Sequence, residues 1–187
     1  MRNYNLCEFL KKAKFKNGSC DLVTRPMGQG IRAFIEREIE KEQGGSVISL
    51  DFSEIGVIDY SCADEIVAKL ISRLLSGEYG DKYIILTGLN DNQRENIEVA
   101  LEKKDLAVIA ETGEGMMVVL GSLHNYLRET LNMVLQRGQL TAKQLSETMS
   151  LEMNTSGTRL LNLHKKRLVR RTDDTRNGGR VLLYGKI

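Results

Sequence analysis

Histidine and cysteine are scarce in this chain, and apolar runs of membrane length are lacking. Two of the 187 residues are His and three are Cys. Cys7, Cys20 and Cys62 form no C-x-x-C pair and have no histidine at zinc-ligand spacing, so three ordinary thiols in a reducing cytosol are expected. His124 and His164 each fall beside leucines on helical stretches. A catalytic histidine needs a nucleophile or metal partner within hydrogen-bond reach, and the sequence offers no such set. No enzyme is expected, and no catalytic, cofactor-binding or metal-binding residue is assigned. No positively charged stretch leading into an apolar core opens the sequence, and no run approaches the ~20 apolar residues of a membrane helix. A cytoplasmic protein without membrane contact is the expectation. The charged fraction of 28% and apolar fraction of 41% are those of a folded protein and argue against disorder.

The net charge of +2 conceals an asymmetry. Residues 1–122 hold 15 Lys/Arg against 20 Asp/Glu, a net −5, whereas residues 123–187 hold 12 against 5, a net +7. Attraction to phosphate is the simplest reason for a basic C-terminal part, since nucleic-acid affinity rests largely on Lys/Arg contacts that release counterions. Two domains meeting at 122/123 are therefore expected.

Secondary-structure signals are dense in the basic part. Leu123, Tyr126, Leu127, Leu131, Val134 and Leu135 repeat at helical spacing, an apolar stripe packed on a core. Thr141 and Gln144 have capping-box spacing, with Leu140 and Leu145 placed for a hydrophobic staple, so a short helix runs from Thr141 to about Met149. A second helix over 152–166 gathers Met153, Gly157, Leu160, Leu161 and His164 on one arc and Asn154, Thr155, Thr158, Arg159 and Asn162 on the other. That second arc is small, hydrogen-bonding and carries one cation, a set suited to reading base edges. Strand-like runs at 168–172 and 180–184 flank Asn177-Gly178-Gly179, which can supply the positive φ of a tight hairpin.

In the acidic part, short edge strands are expected at 5–10 and 20–24. Helices follow over 30–42, 61–75 and 91–104, and buried strands at 46–52 (continued at 55–58), 82–87, 106–110 and 116–120. This alternation, with nearly uniform apolar strands, predicts an α/β layer architecture. Ser61 is read as a helix cap, with Asp64 and Glu65 in the first turn facing the positive dipole end; Asp59, Asp64 and Glu65 could together bind a divalent ion, but a solvated or capping cluster is the commoner arrangement. Gly28-Gln29-Gly30-Ile31-Arg32-Ala33 matches G-x-G-x-x-A with Asp51 at about the distance of a ribose-binding acid. Thr24-Arg25-Pro26-Met27 intervenes where the pattern requires a buried strand, so a loop and helix start is preferred to a nucleotide site.

Helix, turn, helix and basic β-ribbon together resemble a winged helix-turn-helix. MNTSGTRLLNLHKKRLVRR is similar to the recognition helix and first wing strand of the winged-helix transcription regulators, with Arg167 where that family usually has the glycine that ends the helix. TRPMGQGIRAFIE and LDFSEIGVIDYSCADEI resemble the STAS-like bacterial domains, a small mixed sheet with helices, with Cys62 in place of the usual aromatic. In partner-switching relatives of that fold, a Ser or Thr directly after the loop Asp accepts a phosphoryl group. Here Tyr60 follows Asp59 and Ser61 comes one position later, so Ser61 is a possible regulatory residue.

The resemblance implies a STAS-like α/β domain over 1–122, for sensing, interaction or dimerisation, and a winged helix-turn-helix over 123–187 that binds double-stranded DNA. Asn154, Thr155, Thr158 and Arg159 would read bases in the major groove, Arg159 by a bidentate contact to guanine. Lys143, Lys165, Lys166, Arg170 and Arg171 would hold phosphates, and Arg176 and Arg180 on the wing would reach the backbone or minor groove. A homodimer is expected, joined through the α/β domain or the helix over 123–136, cytoplasmic and associated with the nucleoid when on DNA. The alternative is a protein-interaction or partner-switching module whose winged helix docks a protein and whose α/β half binds a kinase or a toxin partner. A nucleotide or small-ligand sensor that alters DNA affinity is compatible with the first reading.

Overall fold

Asn5 decides how the chain begins. Its side chain accepts the backbone N–H groups of Cys7 and Glu8 at 2.9 and 3.3 Å, so strand β1 (Arg2–Asn5) stops there and helix α1 (Leu6–Lys12) starts. The strand expected over 5–10 is thus mostly helix, because Leu6, Phe9 and Leu10 recur at helical spacing and are all buried. This computed structural model describes residues 1–13, 20–174 and 180–187, which divide into two compact units, Met1–Ser122 and Leu123–Ile187.

The first unit continues with α2 (Arg25–Lys41), β2 (Val47–Asp51) and α3 (Tyr60–Ala63), which runs through a π-helical turn (Asp64–Ala68) into α4 (Lys69–Leu75). Then come β3 (Tyr83–Thr87), α5 (Asp91–Glu102), β4 (Ala107–Glu111) and β5 (Met117–Gly121). The five strands lie in the order β1-β2-β3-β4-β5, the first four parallel and β5 antiparallel to β4. Helix-containing crossovers join the parallel strands, whereas β4 and β5 need only a short turn in which Gly115 takes a φ of 75°. The fold is therefore α/β with a mostly parallel sheet. Strand alternation puts Ile48, Leu50, Ile84, Leu86, Val108, Ala110 and Leu120 in one core with Ile31, Ile35, Ile39, Ile66, Leu70 and Ile97 of the helices.

Three sequence expectations change here. Helix α2 begins at Arg25 rather than 30, because Thr24 Oγ1 accepts the Met27 N–H at 3.4 Å and Pro26 suits the first turn. Residues 20–24 and 55–58 contribute no named strand, only a single bridge between Leu22 and Ile58. Cys7 and Cys20, expected as free thiols, are joined as a disulfide, with Cα atoms 5.4 Å apart. Only Cys62 is a free thiol. Burial pushes it up to about 12, so it is held as an inert thiol rather than a nucleophile.

The second unit comprises α6 (Asn125–Arg137), β6 (Gln139–Thr141), α7 (Ala142–Met149), α8 (Met153–Lys165), β7 (Arg170–Asp174) and β8 (Val181–Gly185). Its three strands are antiparallel in the order β6-β8-β7. Thr141 closes β6 and caps α7: its hydroxyl accepts the Gln144 N–H at 3.2 Å while the Gln144 side chain accepts the Thr141 N–H at 2.8 Å. Ser150 at φ 51° ends α7, and α8 starts three residues later. Helix α8 closes through Arg167, whose φ of 58° is left-handed, with Leu168 N–H donating to the Leu163 carbonyl at 3.0 Å. An arginine there carries the strain a glycine would avoid.

Leu127, Leu131, Val134, Leu140, Leu145, Leu160, Leu163, Leu168 and Tyr184 are buried in this unit. The buried line of α8 is Ser156, Leu160 and Leu163, a rotation from the expected arc that leaves Met153 48% exposed. On α6 the buried line includes Thr130 rather than Tyr126, which is 42% exposed. The Ser156 hydroxyl has no hydrogen-bond partner among the described residues. An unpartnered buried hydroxyl costs about 1–3 kcal/mol, so Ser156→Ala is expected to stabilise the chain by roughly 1 kcal/mol. A higher urea midpoint with an unchanged slope would register it, and a lower midpoint would contradict it. Among the described residues no helix is long and apolar enough to cross a membrane.

Candidate functional site

Helix α8 presents a polar face with no carboxylate. Asn154, Thr155 and Thr158 are exposed, while Arg159 and Asn162 are half-buried. Together with Tyr126 of α6 they surround a shallow depression of about 430 Å³. The face exists because Ser156, Leu160 and Leu163 commit the opposite side of the helix to the core. Thr158 Oγ1 donates to the Asn154 carbonyl at 2.8 Å, so its hydroxyl oxygen remains an acceptor toward an incoming group. Arg159 lies over the Tyr126 ring, its guanidinium carbon 5.3 Å from the centroid, and Nη1 donates to the Tyr126 carbonyl oxygen at 3.5 Å.

The surrounding cations are spread unequally. Lys143 sits in the first turn of α7, 74% exposed and 4.0 Å from Glu147, a pair worth little on an open surface. Lys165 is exposed in the last turn of α8 and Lys166 half-buried at its C-cap. Arg170 and Arg171 are consecutive in β7, so their side chains leave opposite faces of the ribbon and cannot serve one flat surface together. Arg180 is 2.8 Å from Asp173, which offsets its charge locally. Arg176 and Asn177-Gly178-Gly179, where a hairpin turn is expected from the sequence, lie outside the described residues.

A second concentration of charge lies in the first unit, where the TRPMGQGIR and CADEI segments meet. Gly28 of α2 makes the approach possible: a Cβ there would stand 2.9 Å from the Glu65 Cβ and 3.2 Å from the Cys62 Cα. Glu65 is fully buried and Asp64 is 5% exposed, so the solvated or capping cluster expected from the sequence is a buried ion-pair node. Arg25 bridges Asp64 at 3.1 Å and Glu65 at 2.6 Å; Lys69 reaches Glu65 at 2.5 Å, Arg32 reaches it at 3.4 Å, and Lys104 reaches Asp64 at 2.5 Å. Burial by itself would raise both carboxyls, but hydrogen bonds from these cations outweigh it and hold both below the usual carboxylate range. Among the described residues no group of His, Cys, Asp and Glu is arranged to hold a metal ion.

Ser61 does not cap its helix. Asp59 does, accepting the Cys62 N–H at 2.7 Å, and Ser61 Oγ donates to the same carboxylate at 2.9 and 3.0 Å. A phosphoryl group on Ser61 would meet the Asp59 carboxylate, a like-charge contact. The Gly28–Ala33 run lies inside α2, with Met27 and Gly28 buried, so its glycines form no phosphate cradle after a strand. His164 Nδ1 is 3.3 Å from the Val169 carbonyl oxygen, and His124 stacks on Tyr126 with centroids 5.7 Å apart.

No family model and no curated protein matches the chain.

By its chemistry, the α8 face can exchange hydrogen bonds with a polar edge, whereas the Asp64/Glu65 carboxylates are paired with their own cations and serve packing. Sequence reasoning missed Tyr126, assigned to a core stripe by its spacing, and missed that Arg25 and Arg32 converge on Glu65. A signal for the second existed: Arg25 and Arg32 are seven residues apart, two turns along one face of a helix, with Glu36 a further turn on and 2.9 Å from Arg32.

Proposed function

We propose that the chain is a sequence-specific regulator of transcription that binds double-stranded DNA, with Leu123–Ile187 a winged helix-turn-helix and Met1–Ser122 a STAS-like domain for sensing, interaction or dimerisation. The observation that carries the reading is the carboxylate-free face of α8, where Asn154, Thr155 and Thr158 are exposed beside Arg159 on the unit of net charge +7. Such a helix, 13 residues long and followed by an antiparallel ribbon, is of a size to enter a major groove while the ribbon meets the flanking backbone. In this reading Asn154, Thr155, Thr158 and Arg159 read bases, and Lys143, Lys165, Lys166 and one of the Arg170/Arg171 pair hold phosphates. The protein acts as a two-fold dimer on paired half-sites.

Arg159→Ala is expected to lower affinity for a selected site by about 1–3 kcal/mol and to relax preference at one base pair. Lys165→Ala should weaken all sequences alike and flatten the salt dependence by about one phosphate contact. Fluorescence anisotropy on a selected and a random duplex, over a range of salt, measures both. An identical uniform loss for the two variants would refute this division of roles. The second reading, a protein-docking module, draws support from the ribbon's Asp173 and Asp174, which put carboxylates where phosphates would approach. Absence of binding to any duplex at low ionic strength would decide for it and against DNA.

A further inference from the structure

We infer that Tyr126 is a specificity-determining residue acting through Arg159: its ring holds the guanidinium in the orientation that reads a base. The inference rests on the DNA-binding reading of α8. Tyr126 belongs to α6, yet it is one of the residues that surround the depression in front of the polar face of α8. At 42% exposure it is the one large aromatic there, and its ring lies parallel to that of His124, with an interplanar angle of 9°. The Tyr126 carbonyl is itself anchored, accepting from the buried Thr130 hydroxyl at 2.8 Å, and Arg159 Nη1 donates to that same oxygen at 3.5 Å. Ring and carbonyl therefore hold Arg159 from a neighbouring helix, 33 residues away in sequence.

The chemistry of the guanidinium makes this hold productive. The guanidinium carbon lies 5.3 Å from the ring centroid, and one of five N–H donors is turned to the carbonyl. The Nε and Nη2 edge has no other protein bond among the described residues and is left for an acceptor pair such as O6 and N7 of guanine. A free arginine would lose rotamer freedom on making such a bidentate contact, whereas one already held over a ring and by a carbonyl has less to lose. The gain falls on the correct base alone, because a wrong base does not use the edge. Tyr126 thus raises discrimination while contributing little to phosphate-driven affinity.

The test uses the full chain and four proteins: parent, Arg159→Ala, Tyr126→Leu and Tyr126→Phe. Each is titrated with a selected duplex, its single-base variants and a random duplex. At the base pair where Arg159→Ala loses its preference, Tyr126→Leu is expected to lose about 5- to 30-fold of discrimination, the range of a cation–π contact as water is excluded, with random-duplex affinity changed by less than about twofold. Tyr126→Phe keeps the ring and should match the parent. Discrimination unchanged in Tyr126→Leu but lost in Arg159→Ala overturns the inference and leaves the DNA reading standing. Equal losses in Tyr126→Leu and Tyr126→Phe, or a loss uniform over all duplexes, also overturn it. A parent that binds no duplex overturns both together.

Discussion

Glu65→Ala is expected to destabilise the chain by about 3–5 kcal/mol, because removing one partner of a buried ion pair strands the others. Glu65 is fully buried and faces Arg25, Lys69 and Arg32 at 2.6, 2.5 and 3.4 Å. Truncation takes the shared carboxylate from three cations, leaving Arg25 with Asp64 and Arg32 with Glu36; Arg25, 45% exposed, can turn to water, but Arg32 at 18% is less able to. Glu65→Gln keeps the shape and an acceptor oxygen and should cost less. The same node sets an acid dependence. Glu65 and Asp64 titrate below their ordinary values in the folded chain. Their stabilising contribution is therefore complete above the unfolded carboxylate values, roughly pH 4, and is lost as pH falls through the lower folded values. Urea midpoints should decline for the parent from about pH 5 downward and decline less for Glu65→Ala. A parent that gained stability on acidification over that window would contradict the assignment.

Gly121→Ala should cost about 3 kcal/mol or more, combining left-handed backbone strain with overpacking. Gly121 ends β5 at a φ of 86°, opposite Ala107. A Cβ there would stand 2.7 Å from the Leu101 Cβ and closer still to the Leu106 carbonyl oxygen, the acceptor of the Ser122 N–H at 2.8 Å. Relief would require β5 to move from α5 or that hydrogen bond to open. Gly113→Ala is the control: it lies in the β4–β5 turn with nothing within 4 Å of its Cβ position and should change stability by less than about 0.5 kcal/mol. Equal denaturation midpoints for the two variants would show that crowding at Gly121 is relieved without cost.

Local chemistry was the legible part. The Thr141/Gln144 capping box, the buried run Tyr83–Thr87 and the helix over Asp91–Glu102 follow from spacing and side-chain type, and each stands where that spacing put it. Where two local signals competed, the sequence was ambiguous. Asn5 ends a strand by capping a helix, so a short mixed segment divides into one of each. Asp59 and Ser61 both have capping side chains, and the carboxylate takes the backbone N–H while the hydroxyl turns to the carboxylate. The α8 face was readable in outline, since Asn154, Thr155, Thr158 and Arg159 share one side of a helix at any reasonable phase. Its exact phase was not: Ser156 is small enough to be buried, and Met153 is left outside.

Composition, charge asymmetry and periodicity by themselves determined that the chain is α/β at its acidic end, helical then ribbon-like at its basic end, and where most helices start. Those properties depend on neighbours a few residues apart. Only the tertiary structure decided that Cys7 meets Cys20, that Gly28 lets Arg25 and Arg32 converge on a buried Glu65, and that Tyr126 lies under Arg159. Each of those pairings joins different segments of the chain, and the distance between segments is set by packing of the whole core, which no local pattern encodes.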